Sequence, residues 1–335
     1  MGERAGVGAP TMDDVAEAAG VSRTSVSRVF LGQKKVSEET VWRVREVAAQ
    51  LGYVPNRIAS GLASGRTRTV GLVLPGGALD ALLLTHLQAE ARLVGLDLIA
   101  MVSPPGRDES SHLGVLPTII GMQVSGLVVV DGAIPDQQLE QYVGRLPIVR
   151  TGLAEPGAAT HAIWCDALQA GRAIAEHVVD RGHLNAVVLT SEASHAQFLR
   201  GQGMLEALTL RGLSPHPVKW VDRRRQVDEA LDLVKAGAAT VVMCPSDDVA
   251  LEVLRRARAR HLSVPEQLSV TGVEGLTPGL DVIGLATVRL DLPELARRTI
   301  ATLTRVLAGD DEPPARQLVP GTLVPGFSVA DLTTG

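Results

Sequence analysis

A short stretch near the N-terminus concentrates side chains that can donate and accept hydrogen bonds. It reads GVSRTSVSRVF and runs from Gly20 to Phe30. If it is helical, its apolar residues Val26 and Val29 fall on one narrow stripe with Phe30. The opposite face carries the polar residues Ser22, Arg23, Thr24, Ser27 and Arg28. An arginine on such a face can donate two hydrogen bonds to O6 and N7 of a guanine, so these residues indicate base recognition in DNA.

Three short helices are predicted around this stretch. The first, MDDVAEAA, follows the capping residue Thr11 and ends at Gly20. The second follows Ser22, and the third, EETVWRVREVAAQL, starts after Ser37 and ends at Gly52. The third helix has an apolar face, which consists of Val44, Val47, Ala48 and Leu51. Three amphipathic helices of this length can share one small core.

The order helix, tight turn, helix is that of a helix-turn-helix unit, in which the second helix enters the major groove. Arg23 and Thr24 would lie at its leading edge, and Arg28 one turn later would reach a guanine. The alternative is a solvated helix face, which is where a single arginine is ordinarily found. The three helices together favour a DNA-reading unit over residues 11–54.

Charge is distributed unevenly along the chain. The formal net charge is −5, which on its own argues against nucleic acid as a partner. The first fifth of the chain is nevertheless weakly basic and contains Arg23, Arg28, Lys34, Lys35, Arg43, Arg45, Arg57 and Arg66. A basic head on an acidic body indicates a separate DNA-binding unit.

Length and composition are those of a globular protein with more than one domain. The chain has 335 residues, 45% of them hydrophobic and only 2% aromatic. Its two cysteines, Cys165 and Cys244, give no disulfide framework, and the histidines show no metal-ligand spacing. No segment approaches the roughly 20 apolar residues that span a bilayer, and the N-terminus lacks the apolar run of a secretory signal. We therefore expect a cytoplasmic protein with buried thiols, no metal and no membrane partner.

The body alternates apolar strands with helices. A first set of predicted strands is TVGLVLP, LDLIAMV, SGLVVVDG and PIVRTG, and a second set is AIWCD, NAVVLT, TVVMCP, LSVTGVEG and IGLATVRLD. Two βα sets predict two lobes of doubly wound α/β structure, in which ligands bind at the carboxyl ends of the strands.

Enzyme motifs are missing from the sequence. It contains no G-x-x-x-x-G-K-[ST], G-x-S-x-G or H-E-x-x-H pattern, and the GQG of LRGQGMLE lacks the third glycine of a dinucleotide site. We therefore predict neither an enzyme nor a cofactor.

Two long segments resemble the lac repressor and galactose repressor (LacI/GalR) family of bacterial transcription regulators. They are TMDDVAEAAGVSRTSVSRVF and KVSEETVWRVREVAAQLGYVPNRIASGLASGRTRTVGLVLP, and weaker similarity continues through RGHLNAVVLT and CPSDDVALEVLRRARARHLSVPEQLSVTGVEG. The resemblance implies a disordered segment 1–10, the helix-turn-helix domain 11–54, a hinge helix and linker 55–68, and a periplasmic-binding-protein-like body 69–330. In that body, lobe one would comprise about 69–164 and 292–317, and lobe two about 165–291 and 318–330.

The segment YVPNRIASGLASGRTRT matches the hinge of this family. Pro55 disfavours helix just before it, Asn56 can cap a short helix, and Gly61 weakens that helix. The resemblance implies a hinge that folds on DNA together with a second subunit and inserts a leucine into the minor groove. The implied DNA contacts are Asn56, Arg57, Ala59 and Leu62. The alternative is an ordinary flexible linker.

Motif matching also implies an effector site in the body. Its residues are Asp166, Arg200, Trp220, Ser246, Asp247 and Glu274, with Gly203 as the glycine of the R-x-x-G motif and Trp164 as a second aromatic candidate. We expect Arg200 at the rim of the cleft between the lobes. For each residue alone, a structural salt bridge or a capping role is an equal alternative. As a set at strand ends, they favour ligand binding.

Two departures from the family pattern stand out. Leu31 occupies a position where the family has Asn, so a phosphate or capping contact is missing there. The first-lobe segment VLPGGALDALLL is short and has no aromatic residue. It predicts a smaller pocket, or an effector other than a hexose.

The combined prediction is a sequence-specific transcriptional regulator, a repressor rather than an activator on family grounds. It would bind a palindromic operator in double-stranded DNA as a homodimer, under the control of a small-molecule effector such as a sugar or related metabolite. The alternative is a solute-binding protein with the same body and no regulatory role, which would have no use for the basic head.

Overall fold

The computed structural model describes residues 9–30, 36–55, 68–103, 114–130, 133–134, 136–152, 160–192, 194–219, 222–310 and 313–333. The chain divides into two compact units, Met1–Arg68 and Thr69–Gly335. Several predicted site residues lie outside the described residues: Leu31, Asn56, Arg57, Ala59, Leu62 and Trp220. The hinge helix therefore stays a prediction.

The described residues of the first unit form three helices. They are α1 (Met12–Ala19), α2 (Arg23–Phe30) and α3 (Glu38–Leu51). Thr11 and Asp14 form a capping box, in which the Asp14 carboxylate accepts a hydrogen bond from the Thr11 N–H at 2.7 Å. Gly20 ends α1 with φ 64°, a left-handed conformation that glycine adopts without strain. The caps predicted from the sequence are thus confirmed for α1.

The core of this unit is small and aliphatic. Its buried residues are Val15, Ala16, Ala19, Val26, Val29, Val44 and Ala48. The prediction that Leu51 faces this core is wrong, because Leu51 is 40% exposed. Tyr53 takes its place: its N–H donates to the Ala48 carbonyl at 2.8 Å, and its ring lies 5.7 Å from that of Phe30.

The second unit contains a sheet of parallel strands. In spatial order, those in its described residues are β11 (Arg316–Val319), β5 (His161–Cys165), β4 (Ile148–Gly152), β3 (Gly126–Val130), β1 (Thr69–Leu74) and β2 (Asp97–Val102). The helices that follow these strands or cover them are α4 (Ala78–Leu93), α5 (Val115–Gly121), α6 (Asp136–Glu140) and α12 (Leu292–Leu307). One face packs on α4 and α12 and the other on α5, so β3 and all of β1 after Thr69 are apolar and buried.

A second parallel sheet follows. Its described strands, in spatial order, are β7 (His216–Lys219), β6 (Ala186–Thr190), β8 (Val241–Met243) and β9 (Ser269–Thr271). The helices of this lobe are α7 (Ala167–Asp180), α8 (His195–Leu210), α9 (Arg223–Lys235), α10 (Asp247–Ala259) and α11 (Leu280–Ile283). An antiparallel pair, β10 (Thr287–Arg289) and β12 (Thr322–Val324), completes it. The predicted fold class, a helix-turn-helix unit before a two-lobed α/β body, is confirmed.

Two predicted strand assignments are corrected by the pairing. The sequence pattern places AIWCD in the second set, but β5 lies between β4 and β11 in the first sheet. IGLATVRLD contributes β10, which pairs antiparallel with β12 instead of extending the parallel sheet. The chain thus passes between the sheets after Cys165, again before α12, and a third time after Val319. No helix within the described residues is long and apolar enough to cross a membrane.

Both cysteines are buried, as predicted. Cys165 lies on β5, and Cys244 follows β8; neither forms a disulfide. Burial raises the pKa of the Cys244 thiol, and the nearby Asp247 carboxylate raises it further. Cys244 is therefore a packed, unreactive thiol.

Candidate DNA-reading helix and effector site

The exposed face of α2 carries the residues that the sequence singled out for DNA. Arg23, Thr24 and Arg28 are exposed, and Ser27 is partly exposed. Ser22 caps the helix, because its Oγ accepts a hydrogen bond from the Ser25 N–H at 3.1 Å. The valines on the opposite face, Val26 and Val29, are buried. The hydrogen-bond donors of α2 are therefore on its exposed face, and its buried face packs in the core of the unit.

Arg23 has a local partner that can be exchanged for DNA. Its Nε lies 3.5 Å from Oδ1 of Asp13, and the two side chains are 69% and 65% exposed. An ion pair this exposed contributes between about 0 and 1 kcal/mol. A phosphate or a guanine can therefore replace Asp13 at little cost.

Two of the predicted effector residues are helix caps. Asp166 begins α7, where its Oδ1 accepts from the Gln169 N–H at 2.9 Å. Ser246 begins α10, where its Oγ accepts from the Val249 N–H at 3.4 Å. Both follow the carboxyl ends of strands, β5 and β8, so they still border the expected ligand region. For both residues, the capping role that the sequence left open as an alternative is therefore confirmed.

Arg200 lies in the second turn of α8 and is 1% exposed. Its Nη1 donates to the Glu274 carboxylate at 2.8 Å and to the Pro245 carbonyl oxygen at 2.9 Å. Its Nε and Nη2 have no hydrogen-bond partner among the residues that the structure describes. The expected rim position is thus corrected: α8 packs against α7 and β6 and carries this side chain into the interior.

Asp247, the first residue of α10, has no exposed surface. Its Oδ1 accepts from the Thr287 hydroxyl at 2.8 Å and its Oδ2 from the Gly275 N–H at 2.6 Å. Burial raises the pKa of Asp247 to about 6, against the lowering effect of these two hydrogen bonds. The neighbouring Glu274 raises this pKa further, and Arg200 lowers it. This geometry does not support direct contact between Asp247 and a ligand.

Glu274 is held in an unusual backbone conformation. Its φ is 122°, in a region that residues with a side chain rarely adopt. Its own N–H donates to the Val288 carbonyl at 2.9 Å, and its carbonyl accepts from the Leu290 N–H at 2.9 Å. Its side chain is 12% exposed and pairs with Arg200. Backbone outliers of this kind cluster at functional sites.

Trp164 is less available for stacking than the sequence suggested. It is 8% exposed, and the guanidinium carbon of Arg316 lies 5.0 Å from its ring centroid. A cation already covers one face of the indole. Sequence reasoning missed Arg316, and it also missed Thr287 and Gly275 around Asp247, because nothing local marks a partner that arrives from a distant strand.

Asp247→Asn is expected to become more stable than the wild-type protein as the pH rises. A pKa raised to about 6 means that the folded state binds the Asp247 proton more tightly than the unfolded state, whose pKa is near 4. The contribution of this carboxyl to stability therefore falls as the pH rises from about 4 to about 6, by up to about 3 kcal/mol. Urea unfolding at pH 4 and pH 7 should show the Asn variant gaining that amount. Asp248→Asn, at the next and exposed residue, is the control; equal gains for both variants would contradict the assignment.

Comparison with known proteins agrees with the two units. Residues 11–56 match the family "Bacterial regulatory proteins, lacI family", and residues 175–329 match the periplasmic binding protein-like domain. Among curated proteins, catabolite control protein A of Priestia megaterium is 29% identical over 276 residues, which are 79% of this chain and 82% of that protein. The HTH-type transcriptional regulator GntR of Pseudomonas aeruginosa is 29% identical over 328 residues, 91% of each chain.

Solved structures share the fold along nearly the whole chain. The lac repressor dimer bound to operator and the anti-inducer ONPF superposes with a TM-score of 0.81 at 23% identity, covering 96% of this chain and 100% of that one. The transcriptional regulator CelR in complex with cellobiose gives a TM-score of 0.66 at 25% identity, covering 95% and 99%. The chain therefore combines a LacI-family helix-turn-helix domain with a periplasmic-binding-protein-like domain, its relatives are regulators of the LacI/GalR type, and it is a DNA-binding transcriptional regulator.

Proposed function

We propose that this regulator is a repressor that binds a palindromic operator as a homodimer. Its affinity for the operator is proposed to rise or fall when a small molecule binds at Arg200. The proposed effector site rests on one observation. The guanidinium of Arg200 is buried, and its Nε and Nη2 have no hydrogen-bond partner among the described residues. A buried donor without a partner costs about 1 to 3 kcal/mol. A ligand that accepts from both donors recovers that cost.

The shape of the guanidinium defines the ligand group. Nη1 is taken by Glu274 and Pro245, so the edge formed by Nε and Nη2 is left for the effector. This edge offers two parallel donors, which fit either a carboxylate or two neighbouring hydroxyls.

Charge favours the hydroxyls. Arg200 and Glu274 compensate each other, and Asp247 adds a partial negative charge beside them. A carboxylate would bring a further negative charge into this buried cluster, whereas a sugar diol would not. The likeness to the CelR–cellobiose complex also supports a sugar. We therefore assign a neutral sugar or related polyol as the effector class.

A dimer follows from the size of the reading element. One helix-turn-helix unit reads only a few base pairs, so useful specificity requires two of them on a palindromic site. The hinge residues Asn56, Arg57, Ala59 and Leu62 are proposed to join the two subunits over the minor groove. We also place the protein in the cytoplasm, together with the operator that it is proposed to bind. A solute-binding protein without a regulatory role is disfavoured by the exposed donors of α2.

The experiment is a selection from genomic DNA. Fragments of the source genome retained by the purified protein are sequenced, and the enriched motif is tested by gel shift in the presence of a panel of sugars. We expect a two-fold symmetric motif whose binding changes with one sugar or a small group of them. If no motif is enriched, or if the motif is asymmetric and binds a monomer with full affinity, the proposal fails.

Arg28→Ala is expected to weaken operator binding by about 1 to 3 kcal/mol per half-site and to relax the preference at one base pair. The reason is the loss of a two-donor contact with a guanine edge. Gel shifts on the selected operator and on its single-base variants measure both effects. Arg28→Lys is the control, because it keeps the charge but not the fork of donors. An equal loss on every DNA sequence, restored by Lys, would make Arg28 a phosphate contact.

A further inference from the structure

Asp247 holds the residues on both sides of Glu274. The backbone N–H of Asp247 donates to the carbonyl oxygen of Val273 at 2.9 Å. Its Oδ2 accepts from the N–H of Gly275 at 2.6 Å. One residue of α10 therefore fixes the peptide groups immediately before and after Glu274.

These two hydrogen bonds bear on a conformation that needs outside support. Glu274 has φ 122°, which a residue with a side chain does not maintain unless its surroundings impose it. Strand β10 and the residue after it hold it from one side, through the Val288 carbonyl and the Leu290 N–H. Asp247 holds it from the other side. This conformation is the one in which the Glu274 carboxylate reaches Nη1 of Arg200 at 2.8 Å.

Asp247 is itself fixed in place. Its Oδ1 accepts from the hydroxyl of Thr287, which is 2% exposed. A Cβ added at Gly272 would lie 2.3 Å from the same Oδ1, so the carboxylate packs directly against the backbone of Gly272 on that side. The charged groups that act on it are Glu274 and Arg200, and its own charge acts on the buried Cys244 thiol.

We propose that Asp247 is a positioning residue: by holding the backbone around Glu274, it keeps the Glu274 carboxylate on Nη1 of Arg200 and so directs the Nε and Nη2 edge of Arg200 at the effector. The inference rests on the proposed effector site, because it assigns the part of that site that aims the arginine. Asp247 acts through Glu274 and does not touch the ligand.

The chemistry of the two donors predicts which substitution is tolerated. An asparagine keeps one acceptor, its amide oxygen, for the Gly275 N–H. Its NH2 group can donate to the Thr287 hydroxyl once that hydroxyl rotates and acts as the acceptor. Asp247→Asn should therefore preserve the position of Glu274. Asp247→Ala removes both acceptors and should release it.

The first test needs no ligand. Crystal structures of Asp247→Ala and Asp247→Asn show the φ of residue 274 and the distance from its carboxylate to Arg200. We expect the Ala variant to lose the positive φ and the ion pair, and the Asn variant to keep both. An Ala variant that retains both would overturn the proposal, as would an Asn variant that loses both.

The second test uses cellobiose as the probe, titrated against wild type and variants by calorimetry. We expect binding to weaken about tenfold to 100-fold in Asp247→Ala and less than about threefold in Asp247→Asn, with operator affinity unchanged in both. Asp248→Ala, whose carboxylate is exposed, is the matched control and should bind as wild type does. Equal affinity of the Ala variant and wild type would overturn the positioning role.

Arg200→Ala distinguishes a failure of the proposed effector site at Arg200 from a failure of the positioning role of Asp247. If it binds cellobiose as well as wild type does, the effector site is misplaced, while the crystal structures still decide whether Asp247 positions Glu274. If Arg200→Ala loses cellobiose and Asp247→Ala keeps it, only the positioning role fails. Where cellobiose does not bind the wild type, the crystal structures decide alone.

Thr287→Val covers the case in which Asp247→Ala does not fold. It removes one donor to the carboxylate and keeps the side-chain shape. We expect amide exchange at Gly275 to become at least about tenfold faster, because the carboxylate that accepts from this amide is then free to move. An unchanged exchange rate would show that Asp247 does not hold this backbone.

Discussion

Gly203→Ala is expected to lower the free energy of unfolding of the body by about 3 kcal/mol or more, and Gly171→Ala/Gly203→Ala is expected not to fold. A Cβ at Gly203 would lie 2.2 Å from the carbonyl oxygen of Leu168, and one at Gly171 would lie 2.1 Å from the carbonyl oxygen of Arg200. Helices α7 and α8 therefore meet backbone to backbone. No change of side-chain rotamer relieves such a contact, so the two helices have to separate.

Urea unfolding of the single variants measures this cost. Gly121→Ala is the control: Gly121 lies at the end of α5, where an added Cβ meets nothing within 4 Å, and the substitution should be neutral or slightly stabilising. A Gly203→Ala variant that unfolds within about 0.5 kcal/mol of wild type would show that the helices are not in contact.

This packing connects the fold to the site. The carbonyl that approaches Gly171 is that of Arg200 itself, so the small residue on α7 sets the backbone position of the arginine. Gly203 was noticed in the sequence only as the glycine of a family motif. The structure gives it a physical reason, which is the close approach of two helices rather than contact with a ligand.

The helix-turn-helix unit was readable from the sequence because its determinants are local. Thr11, Gly20, Ser37 and Gly52 cap α1 and α3 within four residues of the groups that they satisfy. The placement of Leu51 failed because Tyr53, beyond the helix end, competes for the same core. That competition depends on the packing of three helices and leaves no periodic signal.

Strand pairing in the body was less predictable. β7, β11 and β12 are short and partly exposed, so their apolar content was too low to mark them. The grouping of AIWCD failed because neighbours in a sheet are set by crossovers over long sequence distances. Alternation of strands and helices predicts the class of fold, but it does not assign a strand to a lobe.

The effector site was predicted as a set of residue types and not as an arrangement. Arg200 and Glu274 were both named, and the structure pairs them at 2.8 Å across 74 positions of sequence. The partners of Asp247 on β10 and beside Glu274 could not be named, because a threonine in a strand and a glycine in a loop are common everywhere. Whether a residue contacts the ligand or only holds another residue in place depends on its burial. Burial is a property of the folded lobe and cannot be read from the sequence.

Arg200→Ala is expected to lose at least about 100-fold in effector affinity and to leave operator affinity nearly unchanged, since an effector acts only through its different affinities for two states of the body. It is also expected to lose about 3 to 5 kcal/mol of stability, because it leaves the Glu274 carboxylate buried without its cation. Loss of response in this variant alone could therefore reflect damage to the lobe.

The double variant Arg200→Met/Glu274→Gln separates the two effects. It removes the cation and the carboxylate together, so no unpaired charge remains in the interior, and Met fills most of the space of the arginine stem. We expect urea unfolding to return to within about 1 to 2 kcal/mol of wild type, while a gel-shift titration with the sugar found in the screen still shows no response. If the double variant is stable and responds at the wild-type concentration, Arg200 is a structural cation. The effector then binds elsewhere in the body.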